Sequence, residues 1–222
     1  KYEVTAIGID RDGRWYVQEP AEIVDDKAFG RVLAIKKTGL WLVNHFEDGR
    51  KLRLHNIDTN ERRRIDVVFP VLHGTFGEDG TLQGLLELAM VPYVGADVLG
   101  SAVGMDKDVA KRLLRDAGIG VVPWITIRRA QWESEAKRIV ERIKTEFGLP
   151  VFVKPVNAGS SVGVQKVTGA ASIEEAVEKA FLFDMKVMVE KAVNCREIEC
   201  SVLGNDLVEV SMPGEVIPRH EF

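Results

Sequence analysis

The segment Val153 to Val164 holds the residues best suited to chemistry. Lys154 stands directly after a strand-like stretch, and Ala158-Gly159-Ser160-Ser161-Val162-Gly163 follow as a loop of small residues before the next strand. Glycines at 159 and 163 let backbone N–H groups approach a phosphate closely. Ser160 and Ser161 add hydroxyl donors, and Lys154 adds charge. The segment is not a Walker A loop, because no Gly-Lys-Ser/Thr opens a helix. Local composition alone fits a plain hairpin loop equally well.

A second cluster is His73-Gly74-Thr75-Phe76-Gly77-Glu78-Asp79-Gly80. It follows an apolar run and opens a helix, where open α/β sheets place ligands. His73, Glu78 and Asp79 supply titratable groups. Taken alone, the pattern reads first as a helix start with Asp79 complementing the dipole. Glu190 ends a hydrophobic strand and Glu197 begins the next. Carboxylates there could accept from ribose hydroxyls and the backbone between them could meet an adenine edge, although solvated strand-end charges are the simpler reading. Lys107 starts a helix, where a cation opposes the dipole and calls for a partner such as a phosphate; Asp106 and Asp108 offer an alternative partner.

These residues need elements to position them. Tyr2 to Asp10 and Trp15 to Val17 read as strands around an Asp12-Gly13 turn, with 20–35 irregular. Leu40 to Val43 and Lys51 to Leu54 flank a second hairpin at Glu47-Asp48-Gly49. The apolar run Ile65 to Leu72 predicts a central, doubly covered parallel strand. Helices are expected at Thr81 to Met90, at 106–117 closed by Gly118, and at Ala130 to Glu146. A strand is expected at Val121 to Ile127. Beyond it come strands at Val151 to Val153 and Val164 to Val167. A helix from Ser172 to Phe183 is expected to start with a Ser172–Glu175 capping box. Strands follow at Lys186 to Glu190, Arg196 to Leu203 and Leu207 to Ser211. The order predicts an α/β part followed by an α+β part.

The chain has 222 residues with 30 Lys+Arg against 34 Asp+Glu, a net charge of −4. That balance argues against a general nucleic-acid binder, and no apolar run is long enough to span a bilayer. The basic stretch Arg50 to Arg64 lacks aromatic interleaving and reads as a solvated face. Cys195 and Cys200 form no zinc-ligand set and are expected to be buried small apolar residues in a reducing, cytoplasmic protein. The start at Lys1 and stop at Phe222 read as cuts through a longer chain.

Five collinear stretches resemble the D-alanine–D-alanine ligase family of the ATP-grasp superfamily: 73–95 (HGTFGEDGTLQGLLELAMVPYVG), 101–119, 150–167 (PVFVKPVNAGSSVGVQKV), 186–205, and 213–216 with 221–222. The resemblance implies an N-terminal doubly wound α/β domain followed by ATP-grasp subdomains. Residues 1–96 would be the N-terminal domain lacking its first part, 97–189 the central ATP-grasp subdomain, and 190–222 the start of the C-terminal domain. By position, Lys107 and Lys154 are similar to the family's lysines that hold ATP phosphates. Ser160, Ser161 and Gly163 match the loop that closes over them, with Ser160 also near the first D-alanine. Glu190, Lys191 and Val193 match the adenine pocket, the last two through backbone groups. Glu197 matches the ribose-binding acid, and His73 and Glu78 the lining of the first D-alanine site.

The implied reaction is stepwise. One D-alanine carboxylate attacks the ATP γ-phosphate, and a second D-alanine amine then displaces phosphate from the acyl phosphate, which serves peptidoglycan precursor synthesis. Implied partners are ATP, two D-alanines and Mg²⁺ (or Mn²⁺), whose ligands would lie beyond residue 222, in a cytoplasmic homodimer without nucleic acid or membrane. The family's glycine-rich loop with its substrate-binding glutamate, and its lid and metal-binding residues, have no counterpart in this sequence, so the 222 residues alone are expected to be inactive. The competing readings are a D-alanine–D-lactate or D-alanine–D-serine ligase and a non-catalytic nucleotide-binding ATP-grasp fragment.

Overall fold

The computed structural model describes residues 2–18, 35–37, 39–44 and 52–217. The chain folds as two compact units, residues 1–102 and 103–222. The irregular segment expected at 20–35 and the turn at Glu47-Asp48-Gly49 lie almost wholly or wholly outside the described residues.

The first unit is built on a five-stranded antiparallel meander of β1 (Ala6–Ile9), β2 (Trp15–Gln18), β3 (Trp41–Asn44), β4 (Leu52–Asn56) and β5 (Arg62–Ile65). The Asp12-Gly13 turn forms as the sequence predicts: Asp10 Oδ1 accepts from the Asp12 and Arg14 N–H groups, each at 3.0 Å. Trp15, Trp41 and Leu54 form the core with Leu82 and Leu86. Those two leucines lie on α1 (Thr81–Leu88), four residues apart on one face.

The run 65–72 is not a central parallel strand in the described residues. β5 is antiparallel to β4 and ends at Ile65, and beyond it a single parallel bridge joins Val68 to Tyr93. Val67, Phe69 and Val71 are exposed. Pro70 has no N–H to give a ladder. Helix α2 (Val98–Met105) is a further element that the sequence reading missed. Its glycines at 100 and 104 lower helix propensity and hid it.

The second unit carries a four-stranded antiparallel sheet in the order β6 (Trp124–Arg128), β9 (Lys186–Lys191), β7 (Val151–Pro155), β8 (Gln165–Val167). The two faces of this sheet differ in chemistry, although Met188 on the second is also buried. Ile125, Ile127, Val151, Val153, Val187 and Val189 point to one side and are fully or almost fully buried. They pack with Trp132, Ile139 and Ile143 of α4 (Arg129–Phe147) and Ile173 and Val177 of α5 (Ile173–Ala180). The alternate positions carry Trp124, Thr126, Phe152, Lys154, Met188 and Glu190, which the period of two sends to the opposite face. Helix α3 (Lys107–Asp116) supplies the side chains that meet this face.

Two expectations for this unit are corrected. Ser172 is not a side-chain cap: its backbone is already helical and closes a 3₁₀ turn (Ala170–Ser172) leading into α5. Glu175 instead pairs with Lys179, at 2.6 Å, one turn later. Cys195 and Cys200 are exposed, not buried. They lie around β10 (Glu197–Glu199), in a region of short, exposed ribbons. There β10 pairs with β13 (Gly214–Val216), and β11 (Val202–Leu203) with β12 (Glu209–Val210). A pair of two-stranded ribbons covers too little area to bury small side chains.

Candidate functional site

The sequence of β7, Val-Phe-Val-Lys-Pro, alternates buried and part-exposed residues, so Lys154 emerges on the polar face while Val153 is sealed in the core. Phe152 lies opposite Glu190 in register, which makes Lys154 and Glu190 diagonal neighbours on that face. Lys154 Nζ donates to Glu190 Oε2. Lys111, from α3, donates to the other carboxylate oxygen, Oε1. All three side chains are mostly buried. Burial pushes the Glu190 carboxyl up, but the hydrogen bonds and charges of Lys111 and Lys154 outweigh it and hold the group below the usual range. Glu190 is therefore a doubly paired carboxylate and not a solvated strand-end charge.

Lys107 lies one helical turn before Lys111. Its Nζ donates to the carbonyls of Val156 (3.2 Å) and Ala158 (2.6 Å). Burial lowers its ammonium below the ordinary lysine range, and the nearby Lys154 charge lowers it further. Asp106 caps α3 by accepting from Val109 N–H at 2.9 Å and also takes Lys186 Nζ at 2.5 Å. Asp108 fixes α3 to the sheet. Its Oδ1 accepts from Thr126 Oγ1 (2.7 Å), Trp124 Nε1 (2.8 Å) and Arg112 Nε (3.0 Å). Burial raises the Asp108 carboxyl, and these three donors bring it below the ordinary value.

The loop after β7 is a hydrogen-bonded structure. Val162 N–H donates to Gly159 at 3.0 Å and Val164 N–H to Ser161 at 3.2 Å. Asn157 donates to Asp184 Oδ2 through its backbone (2.7 Å) and its side chain (2.9 Å). Ser160 and Ser161 both have positive φ, 49° and 57°. Two successive non-glycine residues in that region carry strain. Gly163 (φ +72°) could not carry a Cβ without approaching Phe183 Cδ2 to 2.7 Å and Pro155 Cγ to 2.8 Å. Ser160 and Ser161 are exposed at the loop's tip.

In the first unit, His73 and Glu78 are exposed on the loop before α1. Glu78 Oε2 accepts from Gly74 N–H at 2.5 Å, and Glu78 N–H donates to Gly74 O at 2.9 Å. Asp79 accepts from Phe76 N–H (2.8 Å) and Thr81 N–H (3.0 Å). Burial raises Asp79, and those backbone donors outweigh it, leaving the carboxyl lowered. Gln83 donates to Gly77 O at 3.1 Å from a buried position.

Of the residues singled out by sequence, Lys107, Lys154 and Glu190 are brought together with the small-residue loop in the second unit. Lys191 is exposed at the end of β9, its N–H donating to Pro123 O at 3.1 Å, and Val193 is exposed just beyond. Glu197 is exposed on β10. Sequence reasoning missed Lys111. Its spacing of four from Lys107 places both on one helical face and was the available signal. Lys107, Lys111 and Lys154 gather around the Glu190 carboxylate, with Asp106 and Asp184 also acting on Lys107, and ammonium groups beside strained small residues can suit a polyphosphate. Among the described residues no group of three or more His, Cys, Asp or Glu could hold a metal ion, and no helix is long and apolar enough to cross a membrane.

Comparison with known proteins places the chain in a family. The family model for the D-ala D-ala ligase N-terminus matches residues 1–96, and that for the D-ala D-ala ligase C-terminus matches residues 113–222. The chain is 47% identical to D-alanine–D-alanine ligase A of Chromobacterium violaceum and 44% identical to that of Escherichia coli, in each case over 100% of its own length and 60% of the relative's. It thus spans about 60% of the length of the curated relatives it matches. Among solved structures, the D-alanine–D-alanine ligase of Coxiella burnetii superposes with a TM-score of 0.78 at 38% identity, over 95% of this chain and 60% of that one. The VanG D-Ala:D-Ser ligase of Enterococcus faecalis gives 0.78 at 38%, over 96% and 60%. The antiparallel sheet bearing Lys154 and Glu190 and the mixture of helices and sheets are those of the ATP-grasp fold, and the chain belongs to the D-alanine–D-alanine ligase family.

Proposed function

We propose that the whole protein is an ATP-dependent, ADP-forming ligase that joins two D-alanines through D-alanyl phosphate, as a cytoplasmic homodimer supplying peptidoglycan precursors. The observation that carries this reading is the lysine cluster, Lys107 and Lys154 converging near Glu190 beside the 157–163 loop, in a chain of this family. ATP supplies the phosphoryl group that turns a poor acylating agent, a free carboxylate, into a good one. Lys107 and Lys154 hold and neutralise its phosphates by charge-assisted hydrogen bonds. Backbone and hydroxyl groups of Ser160, Ser161 and Gly163 cover them and exclude water, with Ser160 also near the first D-alanine. Glu190 and the backbone of Lys191 and Val193 line the adenine site, Glu197 takes the ribose, and His73 and Glu78 line the first D-alanine site. The proposed domains are 1–96, 97–189 and 190–222, the last two enclosing the nucleotide. Mg²⁺, or Mn²⁺ in its place, would neutralise phosphate charge; no described residue is assigned to hold it.

A second reading, a D-alanine–D-serine ligase, is favoured by the equal structural likeness to the VanG enzyme; a D-lactate acceptor is its close variant. One assay separates these from each other and from a non-catalytic nucleotide-binding protein. The whole protein is incubated with ATP, Mg²⁺, D-alanine and, in turn, D-serine or D-lactate. D-alanyl-D-alanine as the main product supports the first reading, and a mixed product the second. The absence of any dipeptide or depsipeptide overturns both.

A further inference from the structure

Glu190 presents one carboxylate to two lysines from different elements, and each lysine has its own oxygen. Lys111 takes Oε1 from α3, and Lys154 takes Oε2 from β7. Lys154 can therefore leave without disturbing the other pair. Lys111 is fixed more firmly than a single ion pair would fix it. Its ammonium lies 5.0 Å from the centroid of the Trp124 ring, and that ring is held by its own Nε1 hydrogen bond to Asp108. Trp124 also stands opposite Glu190 in the β6–β9 register. Helix α3, β6 and β9 are thus tied together around Glu190, with Lys154 entering from β7.

The consequence concerns charge. A buried carboxylate that loses all its partners either becomes protonated or costs stability. A lysine that served both as the sole partner of Glu190 and as a phosphate ligand could not turn to a phosphate without stranding that carboxylate. We propose that Lys111 is the positioning residue of this site, keeping Glu190 ionised and in place while Lys154 transfers from Glu190 to a nucleotide phosphate. In the free protein Glu190 is then a resting counter-ion that keeps Lys154 ordered, and Lys111 is what makes it releasable. This inference rests on the nucleotide reading for its last step, but the pairing of Lys111 with Glu190 does not.

Among the described residues, the charged groups acting on Glu190 are Lys111 from α3, Lys154 from β7 and, more distantly, Lys107 at the start of α3; Arg115 of α3 lies 5.2 Å from the centroid of the Trp124 ring. The test follows the Glu190 side-chain carboxyl by ¹³C NMR as pH falls, in the nucleotide-free chain. Lys111→Met is expected to raise its titration midpoint. Lys154→Met is expected to raise it too, but to leave it below that of a Lys111→Met/Lys154→Met double variant, and Lys111→Arg is expected to restore the wild-type midpoint. An unchanged midpoint in Lys111→Met overturns the proposal. So does a Lys154→Met midpoint equal to that of the double variant.

A stability cycle keeps the question open to refutation if Lys111→Met folds poorly. In a Glu190→Gln background the added Lys111→Met change should have little effect on the denaturation midpoint, because the charge it compensates is gone. An equal loss in both backgrounds overturns the proposal. ATP titration then tests the transfer. Lys111→Met should weaken binding about tenfold, with its acid limit moved to higher pH, and Lys111→Arg should restore both. ATP binding in Lys111→Met with wild-type strength and pH profile overturns the transfer. Failure of the nucleotide reading shows itself differently: ATP affinity would be indifferent to Lys154→Met while the Glu190 titration still responded to Lys111.

Discussion

Lys154 and Glu190 lie diagonally across adjacent antiparallel strands and are bound to one another on the polar face of a sheet whose other face is solid aliphatic core. The arrangement follows from the alternation in β7 and β9. Val151, Val153, Val187 and Val189 fix the register by burial, and any slip by one residue would drive Lys154 and Glu190 into the core.

The core itself is the first point of test. Ile143 of α4 is completely buried beneath the sheet. Ile143→Ala should destabilise the second unit by about 2–5 kcal/mol through lost burial and a residual cavity. Chemical denaturation followed by a probe in that unit measures it; a loss below about 1 kcal/mol would contradict the packing described.

Acid should act through the buried carboxylates. Asp108 and Glu190 both sit below their ordinary values of 3.8 and 4.5. Between the folded and ordinary values the unfolded chain binds more protons, so stability rises with pH there. The contribution is complete above the ordinary value and is lost as pH falls through the lowered one. Asp108→Asn should cost about 1–3 kcal/mol at neutral pH, from weakened bonds to Trp124, Thr126 and Arg112, and should flatten the acid limb. Denaturation midpoints between neutral pH and pH 2 check both; an unchanged acid limb would contradict the role of Asp108.

Gly163 tests the loop. Its positive φ and the close approach of Pro155 and Phe183 leave no room for a methyl group. Gly163→Ala should destabilise by about 1–3 kcal/mol or displace the loop, and should weaken nucleotide binding as well. Stability and ATP affinity both equal to wild type would remove the loop from the site.

What could be read from the sequence was what is written in local periodicity. The strand from Val151, the amphipathic helix from Lys107 and the turn at Asp12-Gly13 all survive in the structure, although the strand does not stop before Lys154 but carries it and ends at Pro155. The failures are those where distant residues decide. Ile65 to Leu72 has the apolar content of a buried strand, but a strand also needs neighbours, and one bridge to Tyr93 is what Val68 finds among the described residues. Ser172 has the right residue type for a cap, but it is the last residue of the 3₁₀ turn and its backbone is already helical. The spacing of four puts Lys111 on the helical face of Lys107, but it does not show that a glutamate 79 positions away will reach it. Lys107, Lys154 and Glu190 were legible as residue types suited to one site; which lysine pairs with which oxygen was not.

Calorimetric titration of ATP into the chain and its Lys154→Ala variant decides whether Lys154 meets nucleotide phosphate. The wild-type chain should bind ATP, and the variant should bind at least about tenfold more weakly, through loss of a charge-assisted phosphate contact. Equal affinity in the two proteins would contradict it.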